Sequence, residues 1–467
     1  MKKAILFPLL AVIASGCAIG PRYHVLEIST PEKYRELEET TIPSNMADAP
    51  WWQIFDDSAL QELIREALRS SYDLKAAAAR VDEARAMIGV ARATILPQVD
   101  LATSAQRDRN SKVIYPTARR LVSTYSGGFN TSWEIDLWGR LRQKIRSAKM
   151  EAQAAEEFRR GVVITLVADT AQSYFTLREL DLELQIAKDT LTTRKETYEL
   201  FSQRQKGGVA SDLEVSQAKA DMYETEAKIP DIQRRIAIEE NRICALLGRD
   251  PGPVKRGLPI TEQVKIPTIP EAGIPSDLLK RRPDIIEAEY AIKSSNALVG
   301  SAMAEFFPTL DLNNFIGGQG HRPSDIWGSK TDAWTIGGEV KLPLFHGGAN
   351  VYNYQAIKAQ WRQTVEQYKQ TVVSAFSDVS NALTDVKRFA EIRSAQELQV
   401  TSDRRAAELS KTRYESGYSG YLEVLDAERR RYSSENSLAQ TIGNQFVSLA
   451  NLYRALGGGW QTEETKK

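Results

Sequence analysis

The chain has 467 residues, enough for two or three ordinary domains with a sizeable core. Lys plus Arg and Asp plus Glu number 61 each, so the formal net charge is zero, which argues against nucleic acid or a strongly acidic substrate as partner. Two cysteines exclude a disulfide framework, and three scattered histidines, His24, His321 and His346, with no cysteine nearby, give no imidazole–thiolate metal site.

The N-terminus reads as an address. Lys2 and Lys3 precede a short apolar run, Ala4 to Ile13, which suits a signal peptide over residues 1–16 and is too short to span a bilayer. Ala14-Ser15-Gly16 then lead into Cys17, and small residues at this distance resemble a bacterial lipoprotein processing site. Cys17 is therefore the expected lipid-bearing first residue of the mature chain, although Ala14 stands where leucine is usual. Ala18, rather than Asp, follows it, which by the general rule for such lipoproteins permits transfer to the outer membrane. The plainer reading is an ordinary signal peptide with an incidental cysteine. Cys244, within Arg242-Ile-Cys-Ala-Leu246, falls on an apolar helix face and is expected as a small buried hydrophobe.

Further along, the chain repeats itself with an offset of roughly 210 residues. Arg92-Ala-Thr-Ile-Leu-Pro97-Gln-Val-Asp-Leu101 and Trp133-Glu-Ile-Asp-Leu-Trp-Gly139 are followed by Gly208-Val-Ala-Ser-Asp-Leu-Glu-Val215 and Leu246-Leu-Gly248. The second copy gives Ala304-Glu-Phe-Phe-Pro308-Thr-Leu-Asp-Leu312, Val340-Lys-Leu-Pro-Leu-Phe345, Gly417-Tyr-Ser-Gly-Tyr-Leu-Glu-Val424 and Ala455-Leu-Gly457. The period is far too long for a solenoid, so each copy is a large structural half.

Each half, starting near Ala67 and near Leu278, contains two short alternating stretches. Val99, Leu101, Thr103 and Ala105 alternate with Asp100, Ala102, Ser104 and Gln106, and Phe129, Thr131, Trp133, Ile135 and Leu137 alternate with Asn130, Ser132, Glu134 and Asp136. In the second half Leu310 and Leu312 alternate with Thr309, Asp311 and Asn313, and Trp334, Ile336, Val340 and Leu342 with Thr335, Glu339 and Lys341. Period two predicts strands with one apolar and one wet face. Trp133, Trp138, Trp327 and Trp334 lie in or beside them, as an interfacial aromatic girdle requires, although a half-buried soluble sheet uses the same alternation.

Between the hairpins the pattern changes. From Arg140 to Lys206 there is no proline and Gly161 is the only glycine; from Asn350 to Ser416 neither occurs. Helix formers dominate both runs, and about 65 residues at 1.5 Å each make a rod on the order of 100 Å. Val163, Leu166, Ala168, Ala171 and Tyr174 recur at helical spacing, which predicts rods packed side by side. The rods end at Gly207-Gly208 and Gly417 and return through Asp212 to Leu247 and Tyr421 to Leu456, with a bend or break expected at Pro230. No later segment is long and apolar enough for a transmembrane helix.

Helices flank each hairpin, so both strands of a hairpin begin and end on one side, and the tips near Arg107–Ser123 and Gly317–Lys330 face the other. Four strands cannot close a barrel, since about eight is the practical minimum. An open sheet edge cannot sit in lipid with its amides unpaired, so the chain must oligomerise if these strands span a membrane.

At this point the residues resemble the TolC-like outer membrane efflux proteins, in particular the lipoprotein branch. The resemblance covers nearly the whole mature chain. It rests on Gly20-Pro21 with Tyr23, on Trp51-Trp52 with Phe55, Asp57, Leu60, Leu63, Ile64, Ala67 and Leu68, and on Trp133-Glu-Ile-Asp-Leu-Trp-Gly-Arg140. It rests also on Arg282-Pro-Asp-Ile with Ala288-Glu289, and on Pro343-Leu-Phe with Gly347-Gly348; Ser71 departs from the asparagine common before Asp73-Leu74. The resemblance implies a mostly α protein with a membrane β-barrel and an internal two-fold repeat: a homotrimer forming a 12-stranded barrel on a long periplasmic α-helical barrel. It implies partners as well: a periplasmic adaptor, through it an inner-membrane pump, and outer membrane lipid. No cofactor is implied beyond the covalent lipid on Cys17.

The corresponding division is a signal peptide over 1–16, a lipidated N-terminal and equatorial segment over 17–66, a helix over 67–98 and a first transmembrane hairpin over 99–138. Long helices follow over 139–248, a linker over 249–277, a helix over 278–308, a second hairpin over 309–345, long helices over 346–457 and a tail over 458–467. The segment from Tyr414 to Arg430 matches the family's pore constriction, which makes Leu422, Glu423 and Asp426 gate candidates, and Arg429 and Tyr414 candidate tethers. Three converging carboxylates would repel one another or hold a cation, and leucines at a constriction add a dewetting barrier. The blander reading makes Leu422 helix packing and Asp426 a solvated charge beside Arg429. Adaptor contact is expected at Gly208, Val209, Ala210, Ser211 and Asp212, and at Gly417, Tyr418, Ser419 and Gly420. The glycine runs lack the Lys-Ser/Thr of a phosphate loop, and no catalytic set or metal-ligand spacing is present, so no enzyme is expected. The function expected is a passive exit duct for drugs or other small toxic compounds in the Gram-negative outer membrane. A heavy-metal or type I secretion duct, and a lipid-anchored coiled-coil scaffold without a pore, are the alternatives.

Overall fold

The computed structural model describes residues 19–26, 28, 52, 55–114, 116–262, 275–328 and 330–458. The signal peptide, Cys17, the linker core and the extreme C-terminus lie outside the described residues. Helices α1 (Ser58–Ser70) and α2 (Tyr72–Ala93) precede strands β1 (Gln98–Arg109) and β2 (Leu121–Ile135), then α3 (Arg140–Lys206) and α4 (Asp212–Leu247). Helices α5 (Pro275–Arg281) and α6 (Pro283–Ala304) lead to β3 (Thr309–Gly320), a 3-10 turn (Pro323–Trp327) and β4 (Asp332–Lys341). Helices α7 (Ala349–Glu415) and α8 (Tyr421–Ala455) follow. Both α3 and α7 run unbroken for 67 residues. Among the described residues no helix is long and apolar enough to cross a membrane.

One expectation fails: α4 continues through Pro230 without a break. A single missing N–H and a local clash with the preceding turn are absorbed because the helix is anchored on both sides of the proline, by buried Met222 and Thr225 before it and Ile232 and Ile236 after it.

Two compact units are present, one holding residues 80–156 and 287–369, the other 28–79, 157–286 and 370–467. In the first, the four strands form one antiparallel sheet in the order β1-β2-β3-β4. Directly paired residues share a face. The registers Leu101 with Phe129, Trp133 with Leu312, and Ile316 with Trp334 therefore collect one apolar face, completed by Val99, Ile336 and Val340. The opposite face carries Asp100, Ser104, Asn130, Ser132, Asn313, Thr335 and Glu339. The large apolar side chains are exposed rather than packed on a second layer, with Ile336 at 73% and Trp334 at 69%. An apolar face left this bare marks a surface that meets lipid or another protein.

The Trp133 to Arg140 run forms the corner between β2 and α3. The Trp133 indole donates to the Ile95 carbonyl at 2.8 Å and that of Trp138 to the Pro308 carbonyl at 2.8 Å. Asp136 caps α3 by accepting from the Leu141 and Arg142 amides, and Glu134 pairs with Arg140. The segment after Cys17 is sewn to the same corner. The Ile19 amide donates to the Trp138 carbonyl at 2.9 Å, Asn296 to the Pro21 carbonyl at 3.0 Å, and the Tyr23 hydroxyl to Glu289 at 3.0 Å. Gly20, at φ +145, lies so close to Gly300 that a Cβ would come within 2.7 Å of its Cα, so only glycine fits.

The second unit has the main core, in which Phe175 stacks on Phe446 and meets Phe55 at a tilt, each at a centroid separation of 4.9 Å. Val163, Leu166, Ala168, Ala171 and Tyr174 are all buried, and so is Cys244, whose thiol donates to the Gly252 carbonyl. Asp57 caps α1 and accepts from the Tyr174 hydroxyl at 2.7 Å. Arg282, from the Arg-Pro-Asp motif, ties the end of α8 to α7 by donating to the Ala455 carbonyl and pairing with Asp378.

Glu179 on α3 is buried against Gly443 of α8, where a Cβ would meet its carboxylate at 2.7 Å, beside Glu183, which pairs with Arg235. Burial, reinforced by the Glu183 charge, pushes the Glu179 carboxyl up to about 7. The folded state therefore holds this proton at pH values where the unfolded chain has released it. The junction is unpenalised below the ordinary carboxylate range and loses stability as pH rises to about 7. Glu179→Gln should flatten that dependence and raise stability at pH 8 by on the order of 1–3 kcal/mol. Thermal unfolding of both proteins between pH 4.5 and 8 checks it; parallel curves would refute it.

Candidate functional site

The turns joining α3 to α4 and α7 to α8 lie together in the second unit. Both use a left-handed glycine to stop the first helix, Gly208 at φ +73 and Gly417 at φ +78. The hydrogen bonds match: Gly208 to the Gln205 carbonyl and Val209 to Arg204, against Gly417 to Tyr414 and Tyr418 to Arg413. The restarts differ. Ser211 and Glu214 form a reciprocal capping box on α4, and Asp212 accepts from Gln205, whereas Gly420 begins α8 with no side-chain cap. Glycine in place of a capping side chain costs a helix end only about a few tenths of a kcal/mol, so the second turn is slightly the more easily frayed. Gly208, Val209, Ser211, Asp212, Gly417, Tyr418 and Gly420 are exposed, while Ala210 and Ser419 are half-buried.

Beneath the turns sits a small apolar plug. Phe201 of α3 is fully buried, with Tyr421 at 4.4 Å and Tyr414 at 5.8 Å between ring centroids, closed by Ala218, Val424 and Leu425. The Arg204 guanidinium lies 5.9 Å over the Tyr414 ring. Burial pushes the Tyr421 phenol up to about 12, and burial with the nearby Glu214 charge raises that of Tyr414, so both stay neutral at working pH.

Below the plug Asp221 of α4 is the centre of a charged cluster. Its side chain is 4% exposed and receives Arg194 of α3 at 3.1 Å on one oxygen and Arg429 of α8 at 3.0 Å on the other. Arg194 also donates to the Asp221 carbonyl and the Thr225 hydroxyl, which fixes its fork. Arg429 is 54% exposed and reaches towards Glu224, at 3.9 Å. Arg429 thus ties α8 to α4 within one chain, and Tyr414 ties α7 to α3.

Leu422 and Asp426, one turn apart on α8, point away from this packing. Leu422 is 66% exposed, and the Asp426 carboxylate pairs with Arg430 at 3.0 Å, not with Arg429. Glu423 is exposed and pairs with Arg413 of α7 at 3.2 Å. Sequence reasoning missed Asp221, Arg194, Phe201 and Arg413. A signal for Asp221 existed, because it stands on the buried stripe of α4 with Ala218, Met222 and Thr225, where an acid is retained only with partners.

The family described as outer membrane efflux protein matches residues 63–249 and 274–458. The chain belongs to that family. It is 33% identical to the toluene efflux pump outer membrane protein TtgC of Pseudomonas putida, over 98% of this chain and 96% of the relative. It is 31% identical to the cation efflux system protein CusC of Escherichia coli, over 99% of this chain and 100% of the relative. Its fold superposes on the outer-membrane channel OprN with a TM-score of 0.87 at 31% identity, covering 96% of this chain and 100% of the other. The chain is an outer membrane efflux channel, and its relatives are channel components, not enzymes.

Proposed function

We propose that three copies assemble into one exit duct, with twelve strands closing a barrel in the outer membrane and the paired long helices, repeated in the two halves of the chain, forming a periplasmic α-barrel. The observation that carries this reading is the sheet. It has one predominantly apolar, exposed face, one polar face, and two edge strands, β1 and β4, with no partner among the described residues. In hydrocarbon every edge amide needs a partner, so the edges pair between copies and the polar face lines water. Cys17, two residues before the strap at Trp138, carries the lipid anchor. Unboiled gels and planar bilayers test the assembly: a heat-resistant trimer that conducts ions supports it, and a non-conducting monomer refutes it.

The duct closes at the helix-end turns. Arg429 and Tyr414 hold the closed arrangement, while Leu422 and Asp426 project into the passage, where three symmetry copies of each form a dewetting ring and an acidic ring. The exposed residues of both turns receive the periplasmic adaptor, and transport energy comes from the inner-membrane pump behind it. Asp426→Ala should abolish the block of single-channel current by multivalent cations added on the periplasmic side. Undiminished block would remove Asp426 from the passage.

The cargo is small organic compounds, favoured by the resemblance to TtgC and by the absence of a methionine or histidine relay in the sequence. The near-equal resemblance to CusC favours a second reading, metal cations. Complementing an efflux-deficient strain and challenging it with toluene and with copper separates them.

A further inference from the structure

Both hairpin turns emerge at the same end of the sheet, and the β1–β2 turn is strongly cationic. Arg107, Arg109, Lys112, Arg119 and Arg120 are all exposed, against a single acid, Asp108. None of the five forms an ion pair among the described residues. Asp108 makes no ion pair with them among the described residues: it accepts from Gln106 at 2.9 Å, and both residues sit on the polar face of β1.

The face decides what the cations meet. Arg107 and Arg109 continue the row Val99, Leu101, Thr103, Ala105, so they stand on the apolar side of the sheet, just beyond its apolar band, paired with Ser123 and Leu121. The turn itself is braced, since the Asn110 amide donates to the Arg120 carbonyl at 2.8 Å and its side chain to the Arg119 carbonyl at 2.9 Å. On the same face the 3-10 turn of the second hairpin lies over the sheet. A Cβ on Gly127 would strike the Ile326 side chain, so glycine makes room for it there, and the neighbouring Trp327 is left 79% exposed. Arg322 and Lys330 flank that turn, with Asp325 committed to the His321 and Arg322 amides and Asp332 at the start of β4. Unpaired guanidinium groups with an exposed indole, one step above an apolar band, match a phosphate-bearing interface.

We propose that the β1–β2 turn docks onto the phosphorylated glycolipid headgroups of the outer leaflet, with Arg107, Arg109, Arg119 and Arg120 as the phosphate-binding groups and Trp327 as the interfacial wedge. Arginine is suited to this because its fork meets two phosphate oxygens at once. The interaction holds the outer rim of the sheet in the headgroup layer and is independent of the closure at the helix-end turns, though it rests on the sheet facing lipid.

The test uses the full-length protein in detergent, mixed with bis-phosphorylated lipid A or with its dephosphorylated form, and counts bound lipid by native mass spectrometry. The parent should retain the phosphorylated lipid at least tenfold better than the dephosphorylated one. The variant R107S/R109S/R119S/R120S should lose that preference, and the turn-only variant R119S/R120S should lose part of it. Conductance and heat-resistant assembly should stay intact in both, so failure of the lipid result with a working channel sinks this inference and leaves the duct standing. Equal retention of both lipids by the parent would overturn it. So would a fourfold variant whose lipid binding is unchanged while its anion-over-cation selectivity falls, since the cations would then line the passage.

Discussion

Asp221→Ala should be the most damaging single change in the second unit, because it removes the shared partner of two arginines. Arg194 is buried, with its guanidinium held by Asp221 and Thr225, and would be left with an uncompensated charge at a cost of about 3–5 kcal/mol per copy. Arg429 would be released from α4 at the same time, freeing α8 and the uncapped turn at Gly420. The expected result is a channel with higher conductance and a markedly lower assembly temperature. Arg429→Ala is the informative companion. That side chain is half exposed, so its loss should cost about 1 kcal/mol or less. It should nevertheless raise conductance nearly as much, since it breaks the same α8 to α4 tie. Single-channel recording and thermal dissociation of both variants check this. If Arg429→Ala leaves conductance unchanged, Asp221 is a structural residue and the tether lies elsewhere.

Ile336→Arg and Thr335→Arg, adjacent on β4, should have opposite outcomes. Ile336 belongs to the apolar face with Trp334 and Val340, whereas Thr335 pairs with Phe315 on the other side. An arginine facing hydrocarbon costs about 2–4 kcal/mol near the midplane, and in the proposed trimer that cost falls three times, so Ile336→Arg should abolish the membrane-assembled oligomer. Thr335→Arg, on the face proposed to line the passage, should assemble normally and should shift ion selectivity towards anions. Assembly in lysates and reversal potentials in bilayers read the two effects. Equal tolerance of both would mean the apolar face is covered by protein.

Much of this was legible in the sequence, for identifiable reasons. The strands announced themselves through period-two alternation, because one face of the sheet is apolar and the other polar, as in Phe129 against Asn130. The 67-residue helices were legible as long runs without proline or glycine. Gly208 and Gly417 were readable as helix ends because a left-handed stop favours glycine. The proline rule failed at Pro230, where packing on either side outweighs a local defect. The tether was half legible. Arg429 stood out, but its partner Asp221 lies some two hundred residues earlier, and no local pattern links positions that only folding brings together. For the same reason Asp426 appeared to neighbour Arg429 in sequence, yet helical geometry gives it to Arg430, one turn on.

The strap from Ile19 to Tyr23 has a consequence for biogenesis. It is fastened to Trp138, then to Glu289 and Asn296, which are synthesised some 270 residues after the strap itself. Loop closure over such a span is slow and late. The strap is thus among the first parts of the polypeptide to be made and among the last to find its seat. Were Cys17 acylated as proposed, the lipid would hold the strap at a membrane surface throughout that interval, a duty that ends once the seam is closed.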